Sequence, residues 1–176
     1  LRASTLTALA FGWGGDLALL GHGTSSFAAG AGSFGVGHVA YISGFVRQRD
    51  RSEPLRRTGV GRTAVRLWLG AGPLMALAAT REERVLGPAV AAYTGLLAGT
   101  FATGNHLDHS LPRSARRLTG LGSALFLVSD TVLGVRKFVL PLVGAPSARV
   151  DLALERVVMG SYTAAQLLLA EGAARA

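Results

Sequence analysis

FAAGAGSFGVGHVAYISGFV, residues 27–46, decides the fold class. The stretch contains no Asp, Glu, Lys or Arg, and His38 is its only candidate charge. A helix on the surface of a soluble bundle shows polar residues on one side at a 3.6-residue period. Residues 27–46 have no such side, and neither does VLGPAVAAYTGLLAGTFAT, residues 85–103. A helix of about 20 residues, rising 1.5 Å per residue, matches the thickness of a bilayer's hydrocarbon core.

Charges and turn residues divide the whole chain into six apolar stretches of this kind: 4–20, 27–46, 63–79, 85–103, 118–134 and 152–170. Six in succession with short polar connections predict an all-α, polytopic transmembrane bundle forming a single domain over residues 1–176. The composition agrees. Of 176 residues, 49% are hydrophobic and 16% charged, against about 25% charged in soluble domains. That hydrophobicity excludes intrinsic disorder. The absence of cysteine excludes a disulfide scaffold, a thiolate metal site and a cysteine nucleophile.

The net charge of +8 first suggests nucleic acid. Its placement suggests topology instead. Arg2, Arg175, the loop at 47–62 and the loop at 104–117 together hold 11 basic residues; the opposite set holds five, Arg81, Arg84, Arg136, Lys137 and Arg149. The positive-inside rule then puts both termini in the cytoplasm of a multi-pass cell-membrane protein. No nucleic-acid partner is expected, because no binding motif accompanies the charge. The basic second loop suits anionic lipid headgroups.

Several patterns have plain explanations. Gly30, Gly32 and Gly35 satisfy G-x-G-x-x-G, but inside a span they read as helix-packing residues, as do Gly95 and Gly99. Such glycine-rich faces also suit a homo-oligomer. His106, Asp108 and His109 cluster in a basic loop without an H-E-x-x-H pattern, so no metal site is expected. No cofactor is expected either. The prolines are expected mostly at helix ends or in loops, and residues 138–143 either extend the fifth helix or lie at the membrane interface.

The polar residues at membrane depth carry the functional signal: Asp16 in the first span, His38 and Tyr41 in the second, Asp130 in the fifth, Tyr162 and Gln166 in the sixth. A carboxylate in hydrocarbon costs several kcal/mol, so such groups face a bundle interior and mark a site. The simple alternatives are an Asp130–Lys137 ion pair and interhelical hydrogen bonds for the others. Two carboxylates and a histidine on three helices favour a polar cavity.

Four segments around these residues resemble the YhhN-type lysoplasmalogenase family: GWGGDLALL at 12–20, SFGVGHVAY at 33–41, GSALFLVSDTVLGVRKF at 122–138 and SYTAAQLL at 161–168. The resemblance implies an eight-helix membrane fold, of which six helices are present, so the first two are expected to be missing from a chain that begins at Leu1. It implies hydrolysis of the vinyl ether bond of a lysoplasmalogen, a lysophospholipid, to a fatty aldehyde and a glycerophospho-base. The implied site residues are Asp16, Asp130, His38 and Tyr41 for catalysis and Ser129, Lys137, Tyr162 and Gln166 for substrate binding. One aspartate would be the acid and the other would stabilise the cation. His38 or Tyr41 would orient water, and Lys137 would hold the lipid phosphate. The alternative is a membrane lipid-binding or proton-coupled transport protein using the same cavity.

Overall fold

The computed structural model describes residues 1–176. It is all-helical. Six long helices follow one another: α1 (Arg2–Leu19), α2 (Gly23–Arg47), α3 (Gly59–Glu82), α4 (Leu86–Gly104), α5 (Arg113–Val143) and α6 (Ala148–Ala174). Most overrun the apolar stretches, because a helix continues through polar turns that hydropathy does not register. Thr58 and Ser147 supply the caps at two of these extended starts, accepting from the N–H groups of Gly61 and Val150.

α5 is not uniform. After Gly134 the chain makes a wider π turn over Val135–Val139 before closing with Leu140–Val143. Pro141 explains the disturbance, since it has no N–H to offer the carbonyl of Lys137, four residues back. Residues 138–143 therefore extend the fifth helix. The helix stops at Gly144, whose φ of +128° is reserved for glycine. Pro73 departs from the expected placement, lying well inside α3.

Packing is cyclic. α1 lies on α2, α2 on α4, α4 on α5, α5 on α6, and α6 returns to α1; α3 stands outside this ring, against α4 and the π turn. The ring encloses Tyr41, Phe45, Leu97, Phe126, Ala165 and Leu169. Small residues permit the close approaches. A Cβ on Gly122 would meet the Ala165 carbonyl oxygen at 3.0 Å and Leu169 Cγ at 2.9 Å. Gly30, Gly35, Gly95 and Gly99 likewise sit against Leu19, Leu96, Trp68 and Ile42, as helix-packing residues do, whereas Gly32, expected to pack in the same way, meets no neighbouring helix and lines a cavity instead.

One end of the bundle gathers the termini and the two arginine-rich loops. Arg2 donates to the Ala174 carbonyl at 2.7 Å. The loops are clasped by two backbone bonds, Asp50 N–H to His106 O at 3.0 Å and Asp108 N–H to Gln48 O at 2.8 Å. His106 bonds the Glu53 carbonyl, while His109 lies near Asp50 and Arg116. The His106 and His109 side chains thus serve loop docking, while the Asp108 carboxylate accepts from the Ser110 N–H within its own loop. At the opposite end cations meet anions: Arg136 forks onto Asp151 at 2.6 and 2.9 Å, and Lys137 reaches Glu82 at 3.2 Å.

The outer surface is strongly apolar, with Trp13 68%, Leu77 68% and Leu167 62% exposed among many others. By length and composition, one helix, Arg113–Val143, is apolar enough to cross a membrane, with a mean hydropathy of 1.6. Six had been expected. The difference is compositional: α4 carries no charge, but its glycines and threonines dilute its leucines and valines.

Candidate functional site

GWGGD near the end of α1 fixes the first half of the site. Asp16 Oδ2 accepts from the Tyr162 hydroxyl at 2.9 Å. Tyr162 and Gln166 lie one turn apart on α6, and Gln166 Nε2 donates to the Tyr162 oxygen at 3.0 Å. Behind them Tyr41, on α2, donates to Gln166 Oε1 at 2.8 Å. The glycines before Asp16 make the space. A Cβ on Gly12 would lie 2.8 Å from Gln166 Nε2, and one on Gly15 would lie 2.6 Å from the Phe34 ring.

The second half joins α2, α4 and α5. Asp130 is hydrogen-bonded through Oδ2 to the Tyr93 hydroxyl. His38 stands beside this pair, its Nε2 3.3 Å from Tyr93 Oη and 3.8 Å from Asp130 Oδ2. Its Nδ1 is 2.9 Å from Thr100 Oγ1. Phe126 separates the halves, packing edge-on against His38 at 4.7 Å and Tyr162 at 5.6 Å between ring centroids.

Both aspartates open onto one cavity of about 1160 Å³, lined mainly by apolar residues from all six helices. Tyr93, Tyr162 and Ser129 also line it, and Arg136, Lys137 and Glu155 stand on its wall. Lys137 follows Asp130 by seven residues, about 10 Å along a helix. The cavity therefore has a greasy interior, two carboxyl groups and a charged region one or two turns beyond Asp130.

The expected residues divide by position. Asp16, Asp130, Ser129, Lys137 and Tyr162 lie on the cavity wall. His38, Tyr41 and Gln166 sit behind it and reach it through tyrosine hydroxyls. The Ser129 hydroxyl donates to the Val158 carbonyl at 3.1 Å, tying α5 to α6. Asp130 does not pair with Lys137, whose ammonium sits by Glu82 and 4.5 Å from the Phe27 ring centroid.

Tyr93 and Thr100 are the residues that the sequence reading missed. The signal was available: two hydroxyl residues two turns apart in a helix without charge, where a buried tyrosine O–H requires a partner.

The chain belongs to the YhhN family, whose model matches residues 1–173. No curated protein and no solved structure matches it.

Proposed function

Starting from YhhN-family membership, we propose that the protein is an integral membrane hydrolase that cleaves the vinyl ether bond of lysoplasmalogens. The products are a fatty aldehyde and a glycerophospho-base. The observation that carries this reading is one apolar cavity with Asp16 and Asp130 on its wall, each bonded to a tyrosine.

The chemistry calls for such a pair. Protonation of the vinyl ether at its β-carbon gives an oxocarbenium ion. Water adds to that ion, and the resulting hemiacetal collapses to aldehyde and alcohol. One carboxyl group supplies the proton, and a second, ionised one stabilises the positive charge, as paired carboxyls do for the related cation in glycoside hydrolysis. The apolar walls accept a single acyl-like chain, and Lys137 offers a point charge for the phosphate. Tyr93 and Tyr162 are the hydroxyls nearest the chemistry, while His38, Tyr41 and Gln166 position them.

A lipid substrate fits a membrane setting. An exterior with this many exposed large apolar side chains is costly in water and neutral in lipid. The basic end, with both termini, faces the cytoplasm on this reading, and the substrate enters the cavity sideways from the bilayer.

The test is to incubate the purified protein with lysoplasmenyl-ethanolamine and trap fatty aldehyde. Aldehyde is expected from the vinyl ether lipid and none from its saturated alkyl ether counterpart. No aldehyde where another family enzyme produces it would overturn the reading.

A further inference from the structure

In both halves of the site a tyrosine hydroxyl meets the carboxylate, but the chains behind the two tyrosines are anchored differently. Toward Asp16 every donor points inward: Tyr41 to Gln166, Gln166 to Tyr162, Tyr162 to Asp16. Reversing the run would leave the hydroxyl hydrogen of Tyr41, a residue 2% exposed, without an acceptor. Asp16 therefore ends the chain as an acceptor and needs no proton of its own.

The Asp130 chain is anchored at its other end. Thr100 Oγ1 gives its one hydrogen to the Leu96 carbonyl at 3.0 Å, so toward His38 it accepts. Nδ1 then carries the ring hydrogen, and Nε2 presents a lone pair to Tyr93. Tyr93 has one hydrogen and two acceptors in reach. With Tyr93 donating to an ionised Asp130, the Nε2 lone pair of His38 is left without a donor; all are satisfied when Asp130 gives a hydrogen to Tyr93 and Tyr93 gives its own to His38. Every member of that run is neutral. An imidazolium–carboxylate pair with the same protons would place separated charges in a buried site, where desolvation opposes them.

We infer that Asp130 is the acid that protonates the vinyl ether and Asp16 the ionised carboxylate facing the cation, with Tyr93, His38 and Thr100 setting the direction of the proton chain. The assignment rests on the proposed reaction. In the first step the Asp130 O–H bond breaks and a C–H bond forms at the β-carbon from the C=C electron pair, leaving the oxocarbenium ion. Tyr93 turns its hydrogen to the new carboxylate. Water then adds to the cationic carbon, and the proton it sheds returns to Asp130.

Infrared spectroscopy of the protein in lipid, without substrate, tests the charge assignment independently of activity. A protonated-carboxyl C=O band is expected in the wild type and in Asp16→Asn, and its loss is expected in Asp130→Asn. No band in the wild type, or a band lost in Asp16→Asn and kept in Asp130→Asn, would overturn the assignment. Should Asp130→Asn fail to fold, Tyr93→Phe serves: the acid band should shift as its acceptor is removed, and an unmoved band contradicts the role given to Tyr93. Histidine ¹⁵N spectra should report the Nδ1–H tautomer for His38. The Nε2–H tautomer or an imidazolium contradicts the chain. Thr100→Val should lose kcat with KM unchanged, and Thr100→Ser should restore it; no recovery with serine would overturn the positioning role. If the infrared pattern holds while no aldehyde forms, the reaction fails and the charge assignment stands.

Discussion

Asp16 and Asp130 share a cavity but not an environment. One terminates a run of donors that begins at Tyr41; the other meets Tyr93 and His38. Both are needed if one supplies a proton and the other balances a cation. Asp16→Asn and Asp130→Asn should each lower aldehyde release by about 10²–10⁴-fold, and wild-type rates in either variant would remove that residue from the chemistry. Gly12 makes a sharper case, because nothing chemical happens at a glycine. Gly12→Ala places a methyl group 2.8 Å from Gln166 Nε2, the mobile end of a side chain. The protein should fold with little change in melting temperature, while kcat falls as Gln166 is pushed from Tyr162. An unchanged kcat would show that the Gln166 position does not matter.

At the scale of elements, the α5–α6 contact depends on Gly122. Its replacement by alanine drives a Cβ against the Ala165 carbonyl and Leu169, and overpacking of this kind costs about 1–3 kcal/mol. Thermal unfolding in detergent should show a lower midpoint; an unchanged one would contradict the close packing. The clasped loops make a pH prediction. Donation from the Ser52 hydroxyl and N–H holds the Asp50 carboxyl below its usual range, and Ser110 does the same for Asp108. A carboxyl that ionises more readily when folded stabilises the fold above its unfolded pKa of about 3.9 and loses that contribution as pH falls through the lower, folded value. Hydrogen exchange at Ser52 and Ser110, corrected for intrinsic rate, should be steady at neutral pH and accelerate only in that acid range. Acceleration that begins well above that range would contradict the role given to the two carboxylates.

Helix number was legible in the sequence because charges and turn residues mark the ends of each apolar run. Asp16, His38, Asp130, Tyr162 and Gln166 were legible because polar groups are rare in such runs. Rotation of each helix about its axis was not, and rotation decides that Lys137 turns to Glu82 rather than to Asp130. Tyr93 escaped notice because tyrosine counts as apolar until its hydroxyl is traced to a partner. The π turn follows from Pro141, but its position depends on α3 packed against it.

For the whole molecule, the sign of the charge changes meaning between ends. Arginines at one end are largely unmatched, whereas Arg136 and Lys137 at the other meet Asp151, Glu155 and Glu82. The absence of cysteine makes orientation easy to measure. Single cysteines at Ser52 and Ser147, probed in intact cells with a membrane-impermeant maleimide, should label at position 147 and not at 52; the reverse pattern would invert the topology. The mechanism turns on which atom receives the first proton, and deuterium reports it. Hydrolysis of lysoplasmenyl-ethanolamine in D₂O, with immediate borohydride trapping and mass spectrometry of the alcohol, should place one deuterium on the carbon beside the former carbonyl. Product without deuterium at that carbon would contradict protonation of the vinyl ether, and with it the acid role proposed for the paired carboxyl groups.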